Sequence, residues 1–278
     1  MAAFDVLMDD AALVPRTAGI PAADAATVVA NHRAHRAASW AAVVASLVVP
    51  DRALAEVGRA AGDDPVAVSV VNTGGAGGLV ALAGRSVSGV EVVAVESALR
   101  DLDDLAGNAA RVVSAAGELG DQVSVFVELP QAYGWVRAVE HVEAAGLFGQ
   151  LRTGGSEPED VPTAERLAEQ LSVLVEADLP FRAAGGLRHA WPTLDHGRVV
   201  EHGFVSVVIA LAALVDGAAV EEAAELLRLA DRHRLVAAVG GWDEATGSRV
   251  RRRLRRLAAP DLGGAVEELE LLGLSGLL

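Results

Sequence analysis

The sequence predicts an α/β fold in which eight parallel strands close into a barrel of the TIM type, with a helical cap at the amino terminus. Three observations lead to this expectation. Short runs rich in valine alternate with longer helical patterns from about residue 43 onward. Several runs are almost continuously apolar, which is typical of strands buried on both faces of a parallel sheet. The length of 278 residues suits one barrel domain of roughly 250 residues.

We expect one domain, with residues 1–42 as an N-terminal helical extension and residues 43–278 as the barrel. The runs that read as strands are 43–50, 66–75, 90–97, 123–130, 148–155 and 180–186. Two later segments, 202–217 and 235–241, would complete the eight strands, although a continuous apolar run is equally compatible with a buried helix. The segment SRVRRRLRRL, residues 248–257, predicts an amphipathic helix with arginines around an apolar face.

The charge balance argues against nucleic acid as a partner. The chain has 38 acidic and 23 basic residues and a formal net charge of −15, so its general field repels a phosphate backbone. The amino terminus is acidic, and no apolar run of about 18 residues is present. We therefore expect a cytoplasmic protein that does not bind membranes.

Cysteine and lysine are both absent from the chain. Without cysteine there is no disulfide, thiolate metal site or cysteine nucleophile. All 23 basic residues are arginine, which stays protonated and cannot form an imine. Schiff-base catalysis by an internal lysine, a P-loop lysine and a lysine-bound pyridoxal phosphate are thereby excluded. The sequence predicts no cofactor and no metal.

Polar residues recur near the carboxyl ends of the predicted strands, where sites lie in parallel α/β folds. Side chains alternate between the two faces of a strand. If the polar face points into the barrel, one pocket receives Asn72, Glu96, Glu128, Gln150, Arg152 and Arg182. Two carboxylates and two guanidinium groups could bind and polarise a small oxygen-rich anion. The alternative is a structural network of ion pairs that fills the barrel.

Two pairs of glycines follow the arginines, in LRTGG and FRAAGG. Backbone N–H groups at Gly154, Gly155, Gly185 and Gly186 could approach an anion closely, and TIM barrels commonly bind phosphate after the last strands. The alternative is that these glycines only form turns. A third glycine-rich segment, NTGGAGG at residues 72–78, lacks the GxGxxG spacing of a dinucleotide site.

The segment from VSVFVELP through GQLRTGG to LPFRAAGGLRHA, about 70 residues, resembles consecutive strands of deoxyribose-phosphate aldolase and its class I aldolase relatives. The resemblance implies a barrel that binds a phosphorylated substrate. It matches Glu128 to the family's glutamate, Gln150 to its imine-forming lysine and Arg182 to its second lysine. Thr153 and Gly154 match the Thr-Gly of one motif, and Ala183, Gly185, Gly186 and Arg188 complete the other.

The chain departs from that family at both lysines, so its aldol mechanism does not carry over. What the resemblance implies for this chain is the barrel and phosphate binding by the backbone of Gly185 and Gly186. A different reaction, by a lyase or an isomerase, would use Arg152 and Arg182 to hold anionic oxygens and Glu128 or His189 to move a proton.

The histidines leave further alternatives open. His189 lies next to Arg188 and could act as a general base, or it could bind a metal with His196 and His202, or all three could be loop residues. We expect His32 and His35, one helical turn apart, to be at the surface.

Taken together, these patterns predict a barrel that binds a small anionic metabolite. The rival prediction is a non-catalytic barrel that acts as a ligand sensor or an assembly subunit. Residues 203–215 form an apolar segment that leaves room for a homo-oligomer interface.

Overall fold

The computed structural model describes residues 6–14 and 23–274. Eight of its strands form a closed barrel in the order β1-β2-β3-β4-β5-β6-β7-β10, and β10 pairs back to β1. Every pairing in this ring is parallel. The barrel strands are β1 Met8–Asp10, β2 Val44–Pro50, β3 Val66–Asn72, β4 Val90–Ala98, β5 Ser124–Glu128, β6 Phe148–Arg152, β7 Phe181–Ala184 and β10 Leu254–Ala259. The predicted TIM-type barrel is confirmed.

Helices alternate with these strands and surround the ring. They are α1 Ala25–Ala37, α2 Leu54–Ala61, α3 Gly75–Ala83, α4 Leu105–Ala116, α5 Trp135–Ala144, α6 Ala164–Glu176, α7 Phe204–Val215, α8 Val220–Leu227, α9 Arg232–Gly240, α10 Glu244–Arg253 and α11 Leu262–Leu271. Between β7 and α7 the chain forms an antiparallel hairpin of β8 Thr193–Asp195 and β9 Arg198–Glu201. None of the helices in the described ranges combines the length and apolar character needed to cross a membrane.

The main core lies between the barrel and its helices. Alternation along the strands sends Val68, Val95 and Val127 outward into this layer, where they are fully buried. The matching helix faces are apolar: Leu167, Leu171 and Leu174 of α6 follow the three- and four-residue spacing of one helical face. The inward-facing residues of the same strands include Ser69, Glu96 and Glu128, and these polar side chains place the candidate site inside the barrel.

Two predicted strands are wrong. The segment 202–217 forms helix α7 and 235–241 belongs largely to helix α9. Helix α7 packs against α6, α8, α9 and α10 and is buried along most of its length. Such a helix is apolar on every side, so its sequence carries no helical periodicity. Because α7 is covered by its own chain, it does not supply the subunit interface expected from residues 203–215.

The first and last barrel strands lie in segments that were expected to be helical. Strand β1 falls within residues 1–42, and β10 overlaps the predicted helix 248–257, of which only the first part remains helical as α10. Both strands carry charges that point into the barrel, Asp9 and Arg256, so neither reads as a buried strand. Helix α1 packs against α2 and β2 and is the barrel's first outer helix rather than a cap. Residues 1–5 and 15–22 of the predicted cap lie outside the described residues.

Candidate functional site

A cavity of about 560 Å³ opens at the carboxyl ends of the barrel strands. Its volume is in the range of small-molecule sites, which is about 300–1,000 Å³. The charged side chains that line it are Glu96, Arg100, Glu128, Arg152, Glu157, Asp160, Arg182, Arg188, Arg198 and Glu201. Five of these are arginines and five are acids, so the lining has no formal net charge.

Arg182 lies at the floor of the cavity and is fully buried. Its Nη2 is 3.3 Å from Asp9 Oδ2, and its Nη1 pairs with Glu96 Oε1. Nη1 also donates a hydrogen bond of 3.1 Å to Ser69 Oγ. With two carboxylates beside it, this guanidinium is neutralised by the protein itself, so the predicted role of Arg182 in holding a ligand's oxygens finds no support here.

Asp9 and Ser69 complete the floor, and sequence reasoning missed both. Ser46 donates to Asp9 Oδ1 through its backbone N–H (3.1 Å) and its hydroxyl (2.6 Å). Arg256 Nε lies 3.8 Å from the same oxygen. Ser69 could have been found from the alternation in VAVSVVN, since it shares the inward face with Val71. Asp9 could not be found in this way, because its strand has only three residues and is too short to show an alternating pattern.

Glu96 is the deepest acid that lines the cavity. Burial raises the pKa of this carboxyl; the positive charge of Arg182 opposes the rise and the negative charge of Asp9 adds to it. Its Oε1 accepts from Ser69 Oγ at 3.2 Å, whereas Oε2 has no hydrogen-bond partner among the described residues. Glu96 therefore offers one free oxygen and an increased affinity for a proton.

Glu128, Gln150 and Arg152 form a second polar group above the floor. Arg152 donates to Glu128 Oε1 from Nε (3.1 Å) and Nη2 (2.8 Å), and Gln150 Nε2 donates to Glu128 Oε2 at 3.3 Å. Gln150 Oε1 is buried and has no partner among the residues that the structure describes. The side chain of Arg152 remains 49% exposed. Unlike Arg182, Arg152 is thus open to a ligand.

The two glycine pairs pack against each other. A Cβ at Gly185 would collide with the carbonyl oxygen of Gly154, and Gly185 and Gly186 have φ angles of +94° and +72°. Thr153 Oγ1 donates to the Ala184 carbonyl at 3.3 Å and to the Gly185 carbonyl at 2.5 Å. These contacts explain the glycines as a close backbone junction between β6 and β7. Phosphate binding by the same segments stays a prediction, although Gly154, Gly155, Gly185 and Gly186 all line the cavity.

The hairpin β8–β9 covers one side of the cavity mouth. Arg188 donates to both oxygens of Glu201 (2.7 and 3.0 Å) and joins the start of the hairpin to its end. Donation of these hydrogen bonds to Glu201 raises the pKa of the Arg188 guanidinium. Arg198 is exposed on the same hairpin, lines the cavity, and its guanidinium has no bond to any described residue. Arg198 carries no signal in the sequence, because it lies beyond the ends of the predicted strands.

Asn72 borders the cavity but faces away from the barrel interior. Its side chain donates to the Gly75 carbonyl (2.8 Å) and Ser97 Oγ (3.0 Å), and it accepts from the Gly74 N–H (3.0 Å). The bonds to Gly74 and Gly75 hold the β3–α3 turn, and the bond to Ser97 joins the end of β3 to β4. The side chain of Asn72 was predicted to point into the barrel. It lies instead on the opposite face of β3 from Ser69, which points inward, and its bonds stabilise the surroundings of the turn.

The three histidines after β7 do not come together. His189 Nδ1 lies 2.7 Å from Glu268 Oε1, outside the cavity lining. His196 is 97% exposed at the hairpin tip, and His202 is buried with Nε2 2.9 Å from the Pro162 carbonyl. Within the described ranges no group of three acids, cysteines or histidines could hold a metal ion. The metal alternative gains no support, and a catalytic role for His189 stays a prediction that this position does not favour.

No protein-family model matches the chain, and a search of curated proteins finds no match. The chemistry of the cavity therefore has to be inferred from its own residues.

Proposed function

We propose that the protein binds a small anionic metabolite, carrying a carboxylate or a phosphate, in the cavity at the carboxyl face of its barrel. One observation supports this most: Arg152, Arg198 and Arg100 stand around the cavity, and Arg198 has no ion-pair partner among the described residues. A guanidinium group that is exposed at the mouth of a cavity is available to bind carboxylate or phosphate oxygens.

Arg152 and Arg198 are the side chains that would hold the anion. Arg152 is fixed at one edge by Glu128, and its Nη1 lies 3.9 Å from Asp160 Oδ1, but half of its side chain is exposed and part of its guanidinium is open to a ligand. Arg198 lies on the hairpin that follows β7 and also lines the cavity. Arg100 donates one hydrogen bond of 3.1 Å to the Thr73 carbonyl and would add positive charge at the rim. Arg182 keeps the floor neutral and would contact no anion.

Two carboxyl groups would move a proton if the protein is an enzyme. Glu128 lies at the end of β5 against the cavity, and Glu96 lies below it with a raised pKa. A carboxyl pair below the arginines of the rim supports proton transfer next to a carboxylate or phosphate, as in a lyase or an isomerase that forms no imine. The fold itself does not select the reaction.

A non-catalytic barrel is the second candidate, and the floor favours it. Arg182 is fully buried between Asp9 and Glu96, as expected if ion pairs fill the barrel for stability. In that case the protein would act as a ligand sensor or an assembly subunit. The two candidates share the cavity and differ in whether Glu128 changes the fate of a bound ligand.

Binding is tested first by thermal shift and titration calorimetry with inorganic phosphate and a panel of small carboxylates and phosphate esters. A ligand of the cavity stabilises the protein by RT ln(1 + [L]/Kd). We expect Arg152→Gln and Arg198→Gln to weaken binding about tenfold or more. Arg137→Gln removes an exposed charge on α5, away from the cavity, and is the matched control. If no anion binds, or if all three variants behave alike, the proposal is wrong.

Catalysis is tested separately with any anion that binds. Glu128→Gln keeps the shape of the side chain and removes its ability to take a proton. Conversion of the bound compound by the wild-type protein, followed by NMR and abolished in Glu128→Gln, would identify an enzyme. Tight binding without conversion would identify the non-catalytic alternative.

A further inference from the structure

The wall of the cavity is divided into an apolar half and a polar half. One group of apolar side chains lies inside the barrel, separate from the main core: Ala11, Val14, Val48, Val71, Ala184 and Ala258. All of these residues line the cavity. They belong to or directly follow β1, β2, β3, β7 and β10, which are neighbours in the ring. The apolar wall, defined by these residues, is therefore continuous.

The strands that complete the ring carry the polar half. Glu96 comes from β4, Glu128 from β5, and Gln150 and Arg152 from β6. These strands are consecutive neighbours as well. The free guanidinium of Arg198 lies at the mouth and not on the apolar wall. Within the barrel, a molecule that fills the cavity thus meets mainly hydrogen-bonding side chains on one side and mainly hydrocarbon on the other, with Arg182 of β7 at the floor and Asn72 at the end of β3.

From this division we infer that the ligand is an organic anion with an apolar body, such as an alkyl or aryl carboxylate or phosphate ester, and not a polyhydroxylated sugar acid or sugar phosphate. The inference rests on the proposed function and narrows its substrate class. The anionic group would lie at the arginines of the rim, and the hydrocarbon part would pack on the apolar wall.

The physical reason is the cost of burying unpaired polar groups. A sugar carries hydroxyl groups on both faces, and those that turn toward Val48, Val71 and Ala258 would lose their hydrogen bonds to water with no replacement. An alkyl or aryl body has no such loss and gains from the removal of its own surface from water. The cavity of about 560 Å³ leaves room for a body larger than inorganic phosphate.

Two matched pairs of compounds test the inference by titration calorimetry. Hexanoate and gluconate are both six-carbon monocarboxylates, and phenyl phosphate and glucose 6-phosphate are both phosphate monoesters. Within each pair the charge is the same and only the body differs. We expect the apolar member to bind at least about tenfold more tightly in at least one pair, since a buried hydroxyl without a partner costs that much or more.

Variants of the apolar wall locate the effect. Val48→Thr and Val71→Thr keep the shape of the side chain and add a hydroxyl to the wall, so each should weaken the binding of the apolar compound and leave gluconate and glucose 6-phosphate unchanged or tighter. Val136→Thr makes the same change at a site on α5 that is 48% exposed and lies outside the cavity lining, and it should alter neither.

The results also separate this inference from the proposed function. If gluconate and glucose 6-phosphate each bind as tightly as their apolar partners, the apolar-body inference is overturned while anion binding stands. If neither these four compounds nor inorganic phosphate nor any anion of the panel binds, the proposed function fails and the inference fails with it. If the Thr variants change affinity no more than Val136→Thr does, the apolar wall is not the binding surface.

Discussion

Arg182 and Asp9 meet inside the barrel from strands that are 173 positions apart in the chain, with Nη2 3.3 Å from Oδ2. Each is almost completely inaccessible to solvent, and Glu96 pairs with the same guanidinium. The pair links β7 to β1 across β10, so the ion pair spans the closure of the ring. This geometry indicates that the main role of the ion pair is to neutralise charges that are buried inside the barrel.

Replacement of Arg182 should therefore destabilise the fold strongly. Arg182→Met leaves Glu96 buried without a counter-charge and Asp9 with only Arg256 at 3.8 Å, and we expect a loss of about 3–5 kcal/mol in the free energy of unfolding. The measurement is urea denaturation at pH 7. Arg182→Met with Glu96→Gln removes one of the stranded charges and should recover part of the loss. Arg137→Met is the exposed control, and an Arg182→Met variant that is as stable as this control would contradict the structural role.

The strands with a valine-rich signal, β2 to β5, were recovered from the sequence, and so were β6 and β7, which contain no valine and precede the two glycine pairs. β2 through β7 all coincide with predicted runs. β1 and β10 were missed because charged residues within them, Asp9 and Arg256, point into a polar barrel interior. The rule that a barrel strand is apolar on both faces fails where the interior is built from ion pairs, and this barrel has such an interior at its floor.

The part of the candidate site that lies on the strands could be predicted from the two-residue alternation of their side chains. The residues predicted to share one pocket all line the same cavity: Asn72, Glu96, Glu128, Gln150, Arg152 and Arg182. The alternation of side chains along β7 does not show that Arg182 is neutralised by Asp9, which lies on β1, a strand that was not predicted from the sequence. The alternation pattern could not identify Arg198, because this residue lies on a hairpin inserted after β7. The position of the hairpin over the cavity mouth depends on tertiary contacts such as the ion pair between Arg188 and Glu201.

The junction of the two glycine segments provides a second prediction. Gly185 has a φ of +94°, and an added Cβ would collide with the Gly154 carbonyl oxygen, so Gly185→Ala combines backbone strain with a clash. We expect it to cost about 2–4 kcal/mol. Gly217 has a similar φ of +91° with nothing within 4 Å of an added Cβ, so Gly217→Ala should cost only about 1–2 kcal/mol. Equal losses in urea denaturation would mean that strain alone matters and that the close junction does not.

A third prediction concerns Asp10, which is buried beneath helix α1. His35 Nδ1 lies 2.9 Å and His32 Nδ1 3.5 Å from Asp10 Oδ2. Only 4% of the His32 side chain is exposed, so the expectation that it lies at the surface is wrong. Burial alone would raise the pKa of Asp10, but the two histidine rings outweigh it and lower the pKa from 3.8 to about 2.

Because this pKa is depressed in the folded state, the stabilisation is present above pH 3.8 and is lost as the pH falls toward 2. Asp10→Asn should lower the free energy of unfolding by about 2 kcal/mol at pH 6. The difference from wild type should shrink below pH 3.8, as measured by urea denaturation across that range. Asp63→Asn, an exposed change, should have little effect at any pH, and a constant difference for Asp10→Asn would contradict the role of its charge.

The last prediction concerns His202, which joins the end of β9 to the segment before α6. Its Nε2 donates to the Pro162 carbonyl, whereas its Nδ1 is buried and has no partner among the described residues. Burial lowers the pKa of His202 below its usual 6.5, and the bond to Pro162 only partly opposes this. A protonated ring would place an N–H at Nδ1 with nothing to accept it.

Since the folded state holds His202 neutral, the unfolded chain takes up its proton first as the pH falls. Stability from this residue should therefore decrease below pH 6.5, by at most about 1.4 kcal/mol per pH unit. His202→Gln should remove that part of the pH dependence between pH 7 and 5, whereas His196→Gln, at a position 97% exposed, should retain it. The other histidines contribute equally to both variants, so the difference between them reports on His202. If the free energy of unfolding changes with pH in the same way in both variants, His202 takes up its proton equally well in the folded protein.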